Sequence, residues 1–248
     1  MSDRFLPGGE VHGLGPPEAH ERGCALLDEE RFLDALPFLK VASGDGDGPW
    51  FYEHNLGNAY LRLGRMDEAA TAYRVALKKN ARAADSRRSL VAALLCLGRH
   101  AEALPLAEAS VLEFLEDPVC WIHLGNCLLH LGFLEEASRA YWSCIGVRGV
   151  SREWLAQAYA HLGVTERLRG NLDMAESYCG RALEFQASLG SAMWCLAQVF
   201  ASTGRSQQAS GVLERCIASA DDETRKLAQR MLSELRSVSG RGLHHDGS

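Results

Sequence analysis

The sequence predicts an all-α solenoid of stacked antiparallel helix pairs, and three observations carry the prediction. Glycines recur at Gly64, Gly98, Gly132, Gly170 and Gly204, at spacings of 34, 34, 38 and 34 residues. Five residues after each stands an alanine: Ala69, Ala103, Ala137, Ala175 and Ala209. Between these markers apolar residues return at steps of three and four, the period of a helix with one buried face rather than of a strand. One helix pair cannot bury its own apolar stripe, but stacked pairs bury a continuous core.

The elements follow in order. From Asp67 to Lys79 the residues Ala69, Ala72, Tyr73, Ala76 and Leu77 form one helical stripe, with Met66 adding bulk. Gly64, just before it, suits the left-handed residue that ends a helix, and the other four glycines repeat that reading. Counting from Pro16, Trp50, Ala84, Pro118, Ala156 and Gly190 divides the chain into repeats 16–49, 50–83, 84–117, 118–155, 156–189 and 190–221. In the first, Gly23, Leu26, Ala35, Leu39 and Ala42 fit, but Glu30 stands where the turn glycine belongs. Asp117 and Pro118 read as an N-cap followed by a first helical residue. Four extra residues fall within 145–151, which predicts either a longer loop or a longer first helix in the fifth repeat. Small residues at the eighth position of a repeat, Gly57, Gly125, Gly163 and Ala197, predict a close helix crossing. Residues 222–238, with Leu227, Met231, Leu232 and Leu235 among Lys and Arg, read as the amphipathic cap a solenoid needs. Residues 1–15 and 239–248 are rich in glycine and are expected to be flexible.

Composition narrows the function. Lys+Arg number 26 against 32 Asp+Glu, a net charge of -6, which opposes a nucleic-acid role. No apolar run reaches the roughly 20 residues of a membrane span, and the start, MSDRFLPGGE, lacks the apolar stretch of a secretory signal. Eight cysteines with no Cys-x-x-Cys pair point to a reducing cytoplasm. Phosphate-binding glycine loops, Gly-x-Ser-x-Gly and His-Glu-x-x-His are missing, so no enzyme and no cofactor is expected. Glu135-Glu136 and Asp221-Asp222 read as helix-start charges. The loop at residues 43–49 begins like a calcium-binding loop but lacks its closing glutamate.

The pattern resembles the tetratricopeptide repeat (TPR) family, in six tandem units over residues 16–221. Trp121, Leu124, Gly125, Leu128, Gly132, Ala137 and Tyr141 match best; Leu56, Gly57, Tyr60, Gly64, Ala69, Tyr73 and Ala76 come second. The family's closing proline is missing at Ala81, Leu115, Gly149 and Ala187. The resemblance implies a right-handed superhelix whose first helices line a concave groove. It implies a non-enzymatic scaffold or adaptor that holds another protein or an extended peptide there. By register the groove residues are His54, Asn55, Asn58, Arg62, Arg88, His123, Asn126, His130, His161 and Arg167. Asparagine amides offer donors and acceptors that match a peptide backbone, and the arginines suit a carboxylate. The family's two-carboxylate clamp is not present: His20 and Cys24 precede Asn55, and Asp85 and Ser89 follow it, where lysines, asparagine and arginine are required. The asparagines look more like the asparagine-lined grooves of sugar-transferase TPR domains. The alternatives are a subunit that self-associates through its convex face or ends, and a metal or redox protein using Cys120, His123, Cys127 and His130. Those four lie on one helical stripe about 15 Å long, whereas a metal needs its ligands converging on one point, so no metal is expected. Cys144, Cys179 and Cys216 fall at core positions, where thiols pack as small apolar groups.

Overall fold

The computed structural model describes residues 13–44, 46–219 and 222–242. Among them lie thirteen α-helices and no strand. They are α1 (Pro16–Asp28), α2 (Phe32–Ser43), α3 (Trp50–Arg62), α4 (Met66–Lys79), α5 (Ala84–Cys96), α6 (His100–Glu113), α7 (Pro118–His130), α8 (Leu134–Gly146), α9 (Arg152–Leu168), α10 (Leu172–Phe185), α11 (Gly190–Ser202), α12 (Ser206–Ser219) and α13 (Asp222–Gly242). The chain is an all-α helical repeat solenoid that divides into two compact units, Met1–Glu113 and Phe114–Ser248.

Within each unit every helix packs on the next in sequence. The odd-numbered helices also touch one another, α1 with α3 and α3 with α5 in the first unit, α7 with α9, α9 with α11 and α11 with α13 in the second. The even-numbered helices approach one another less closely; α4 and α6 meet through the Arg74–Glu102 ion pair at 2.8 Å. The odd helices are therefore the crowded layer of each unit, and the even helices splay behind them.

The turn at the end of α3 shows why glycine marks the repeat. Gly64 has φ 73°, the Arg65 amide donates to the Tyr60 carbonyl at 2.9 Å, and the Gly64 amide donates to the Leu61 carbonyl at 3.0 Å. That pair of bonds satisfies carbonyls the helix end leaves open, and it requires a left-handed residue. Between α1 and α2 the same bonds form around Glu30 at φ 58°, so the backbone imposes the turn even where a side chain makes it costly.

The four inserted residues lengthen the first helix of their pair. α9 has 17 residues where α7 has 13, and the Ser151 hydroxyl caps its start. The last helix runs to Gly242, four residues past its expected end, and its buried stripe differs from the sequence reading. Ala228 and Leu232 are buried, with Met231 and Leu235 packed against the same core, while Leu227 is 47% exposed. The stripe at 228, 231–232 and 235 leaves 227 one helical step outside it. Cys144, Cys179 and Cys216 are fully buried, as are Ala69, Tyr73, Ala137 and Tyr141. The flexibility expected of residues 1–12 and 243–248 concerns positions outside the described residues.

Candidate functional site

Gly57 and Gly125 lie under tyrosine rings. A Cβ on Gly57 would stand 2.6 Å from Cε1 of Tyr73, and one on Gly125 would meet the Tyr141 ring in the same way. The crossing is that close because the eighth position has no side chain. Each ring then extends to the next residue of the odd helix. The Tyr73 hydroxyl donates to Asn58 Oδ1 at 2.8 Å, and the Tyr141 hydroxyl donates to Asn126 Oδ1 at 2.9 Å. Burial pushes the Tyr73 phenol up to about 12, against a smaller opposing effect of Ser89, and pushes Tyr141 up as well. Both phenols remain donors at neutral pH. With Oδ1 engaged, each asparagine keeps its Nδ2 amide as the group it offers outward.

Elsewhere in the chain the partnership is absent. The corresponding pairs are Cys24 with Leu39, Ala92 with Ala107, Val164 with Cys179 and Gln198 with Leu213. Asparagine stands at that position only where tyrosine stands fifteen residues later.

In the first unit Asn55, Asn58 and Arg62 share one face of α3 and line an open pocket of about 480 Å³ with Cys24, Asp28 and Phe32. Asn55 Nδ2 lies 2.9 Å from His20 Nε2 and 3.2 Å from the Cys24 sulfur, and the imidazole and thiol are 3.4 Å apart. Burial lowers the His20 pKa, against a raising effect of Glu21. Burial raises the Cys24 pKa, against the Asn55 hydrogen bond and with a smaller push from Asp28. The pair is thus a neutral imidazole beside a protonated thiol, which is a hydrogen-bonding wall and not an activated nucleophile. Arg62 lies over the Phe32 ring at 4.9 Å and is 3.7 Å from Glu30, with most of its side chain in solvent.

His54 and Arg88 stand apart from this pocket. His54 Nδ1 meets the Ser86 hydroxyl at 3.0 Å, tying α3 to α5, and its ring packs 5.6 Å from Tyr73. Burial lowers its pKa, against Asp85. Arg88 bonds Asp85 one turn back along α5 at 2.9 Å.

In the second unit His161 stacks on Tyr141, with centroids 5.1 Å apart and planes 12° from parallel. Burial lowers its pKa to about 4, with His130 adding to the effect. Asn126, Tyr141 and His161 thus form one cluster, whereas His130 is exposed and His123 half-buried. Arg167 lies beside Cys195, and its buried Nε has no hydrogen-bond partner among the described residues. Cys120 and Cys127 are buried while His130 is exposed, so the Cys/His stripe runs from core to solvent. No group of three or more His, Cys, Asp or Glu among the described residues is placed to hold a metal ion.

Sequence reasoning left Cys24, Asp28, Phe32, Tyr73 and Tyr141 out of the site. Cys24 and Asp28 occupy the ninth and thirteenth positions of their repeat, which the register assigns to the groove wall, although their residue types did not single them out. The fifteen-residue spacing from asparagine to tyrosine could have found Tyr73 and Tyr141. Phe32, just past the first turn, carries no such signal.

Tetratricopeptide repeat family models match residues 54–84, 84–109 and 155–192. No curated protein matches the chain. Among solved structures, a thermophilic TPR protein of Thermus thermophilus, TTC0263, is similar at 23% identity and TM-score 0.63, over 74% of this chain and 98% of its own. MamA from Desulfovibrio magneticus RS-1 is similar at 20% identity and TM-score 0.64, over 70% of this chain and 96% of its own. In the APC/C hetero-tetramer Cut9-Hcn1 the likeness is 16% identity and TM-score 0.70, over 91% of this chain and 44% of the other. These likenesses show a shared fold. No helix among the described residues is long and apolar enough to cross a membrane. Repeat spacing, crossing glycines, left-handed turns and family matches converge: the chain is a tetratricopeptide repeat protein.

Proposed function

We propose that the chain is a non-enzymatic protein-interaction scaffold in which the odd-numbered helices of each unit receive an extended segment of a partner. Each unit has one such asparagine, Asn58 in the first and Asn126 in the second, which donates Nδ2 hydrogens to backbone carbonyls of the segment held by that unit. Asn55 and Cys24 form the wall beside Asn58, and Arg62 meets a carboxylate. His54 and His161 act as struts that hold the helices and tyrosines in place, and His123, His130, Arg88 and Arg167 contribute outlying contacts. The observation that carries this reading is the paired tyrosine clamp on Asn58 and Asn126. A side chain that only coats a wet surface does not need its oxygen bonded from below by a buried phenol. Each donated bond contributes about 0.5–1.5 kcal/mol, and a charge-assisted bond from Arg62 roughly twice that, so the reading requires several contacts acting together.

The test is affinity capture followed by mass spectrometry, comparing the native chain with Asn58→Ala/Asn126→Ala. The expected result is that partners retained by the native chain are lost from the variant while its helicity is unchanged. Equal retention would overturn the asparagine face. Light scattering on the same samples separates a foreign partner from self-association.

A further inference from the structure

We propose that the opposite face of α3 carries a second binding site, which takes an arginine side chain from a partner segment. Asn55, Asn58 and Arg62 define one face of the helix; Glu53, Leu56 and Tyr60 are each displaced from them by two residues, about 200° of helical turn. This second set opens on another pocket, of about 610 Å³, whose walls include Glu53, Leu56, Asp67, Glu68, Ala72 and Val75.

Glu53 is the feature that calls for a ligand. Its side chain is only 3% exposed. Oε1 accepts from Lys79 Nζ at 2.6 Å and from the Ser43 hydroxyl at 3.1 Å, and Lys79 also donates to the Gly48 carbonyl at 2.8 Å. Oε2 is buried and has no hydrogen-bond partner among the described residues. A buried carboxylate oxygen left unpaired is costly, and such an atom in a native fold requires an explanation. Glu53 itself lines the pocket, so its carboxylate stands at the edge of a space that a donor from another chain can enter.

The rest of the wall selects that donor. Among the described residues three carboxylates line the pocket, Glu53, Asp67 and Glu68, and no basic residue does. Glu68 accepts at 2.8 Å from Arg65, whose guanidinium also lies over the Tyr60 ring at 4.8 Å, and Arg99 lies 3.8 Å from Asp67; neither arginine is part of the lining. Leu56, Ala72 and Val75 supply an apolar channel for an aliphatic stem. A stem ending in a flat, weakly hydrated cation with several donors describes arginine, which tolerates partial burial against a carboxylate better than lysine.

The experiment titrates the full chain with Nα-acetyl-arginine N-methylamide and follows the methyl resonances of Leu56 and Val75. The lysine, norleucine and glutamate counterparts are run alongside. Saturable shifts with the arginine probe are expected, with binding about tenfold weaker for norleucine and no shift for glutamate. Glu53→Gln should weaken the arginine probe by about tenfold or more. Because that change also removes the negative charge that faces Lys79, a second variant is used: Thr71→Trp, at the exposed mouth, should abolish the shifts without altering helicity. Asn58→Ala should leave them unchanged, which separates this site from the asparagine face. Equal shifts with norleucine or lysine, shifts that survive in Thr71→Trp, or no saturable shift at all would overturn the proposal.

Discussion

The α3–α4 and α9–α10 pairs share a backbone plan and present opposite surfaces. Both place a glycine at the crossing, Gly57 and Gly163, and both end the first helix on a left-handed glycine, Gly64 and Gly170. Behind Gly57 stands Tyr73, long enough to reach Asn58; behind Gly163 stands Cys179, whose sulfur would lie 2.5 Å from an added Cβ and whose thiol neighbours Cys195 on the next helix. The Cys195 thiol and burial hold the Cys179 thiol above its ordinary range. In the first pair the core side chain orients a surface amide. In the second the core is self-contained, and the neighbouring surface residue is Val164. A repeat can therefore keep its packing while its second helix decides, through one side chain, whether the first helix displays a fixed hydrogen-bond donor.

The largest effect should come from breaking the crossing. Gly125→Leu drives a side chain into the Tyr141 ring and should cost about 3 kcal/mol or more in chemical unfolding. A loss below about 1 kcal/mol would mean that the ring swings aside and that the close approach is not required.

Next in size is a pH effect confined to the second unit. The folded pKa of His161, about 4, lies below its unfolded value near 6.5, so the unfolded chain binds more protons between them. Stability should therefore fall as pH drops from 6.5 towards 4, by up to about 3 kcal/mol in all. His161→Phe keeps a ring on Tyr141 and should flatten the slope in equilibrium unfolding measured across that range. A slope unchanged by the substitution would assign the acid sensitivity to His20 and His54, whose pKa values burial also lowers.

Tyr73→Phe probes the contrast between the two pairs directly. It leaves Asn58 Oδ1 without its buried donor and should cost about 1 kcal/mol. It should also weaken partner capture, because the amide is then free to rotate. Cys179→Ala should leave capture unaltered. Equal effects of the two substitutions would remove the distinction between the pairs.

The smallest effect is a gain. Glu30→Gly at φ 58° should stabilise the first unit by roughly 0.5–1 kcal/mol, the part of the left-handed penalty that remains after glycine's extra chain entropy. Among the described residues the ion pair forfeited is the exposed one with Arg62 at 3.7 Å, which contributes little. A loss of stability would show that this pair matters more than the backbone.

Much of the fold was legible because its markers are local. The turn glycines, the spacing of small residues at the crossing and the three-four stripe each follow from the geometry of a single helix or turn. The candidate site was legible only in part. Asn55, Asn58 and Arg62 came together as their spacing on one helix requires. His54 and His161 sit on the same register but became struts, because Ser86 and Tyr141 happen to stand opposite them. Leu227 shows the same limit at the last helix: it is apolar and periodic, yet the neighbouring helices chose Ala228.

That this chain is a stack of helix pairs with glycine-closed turns was written in its residues alone, since those properties depend on side-chain period and on which residues tolerate a left-handed backbone. Packing between helices settled which polar side chains are presented and which are consumed, and it left Glu53 Oε2 without a hydrogen-bond partner among the described residues, beside an acidic pocket. The cause is one of reach. A hydrogen bond between helices depends on the length and direction of two side chains far apart in sequence, and the period of either helix says nothing about what the other places opposite.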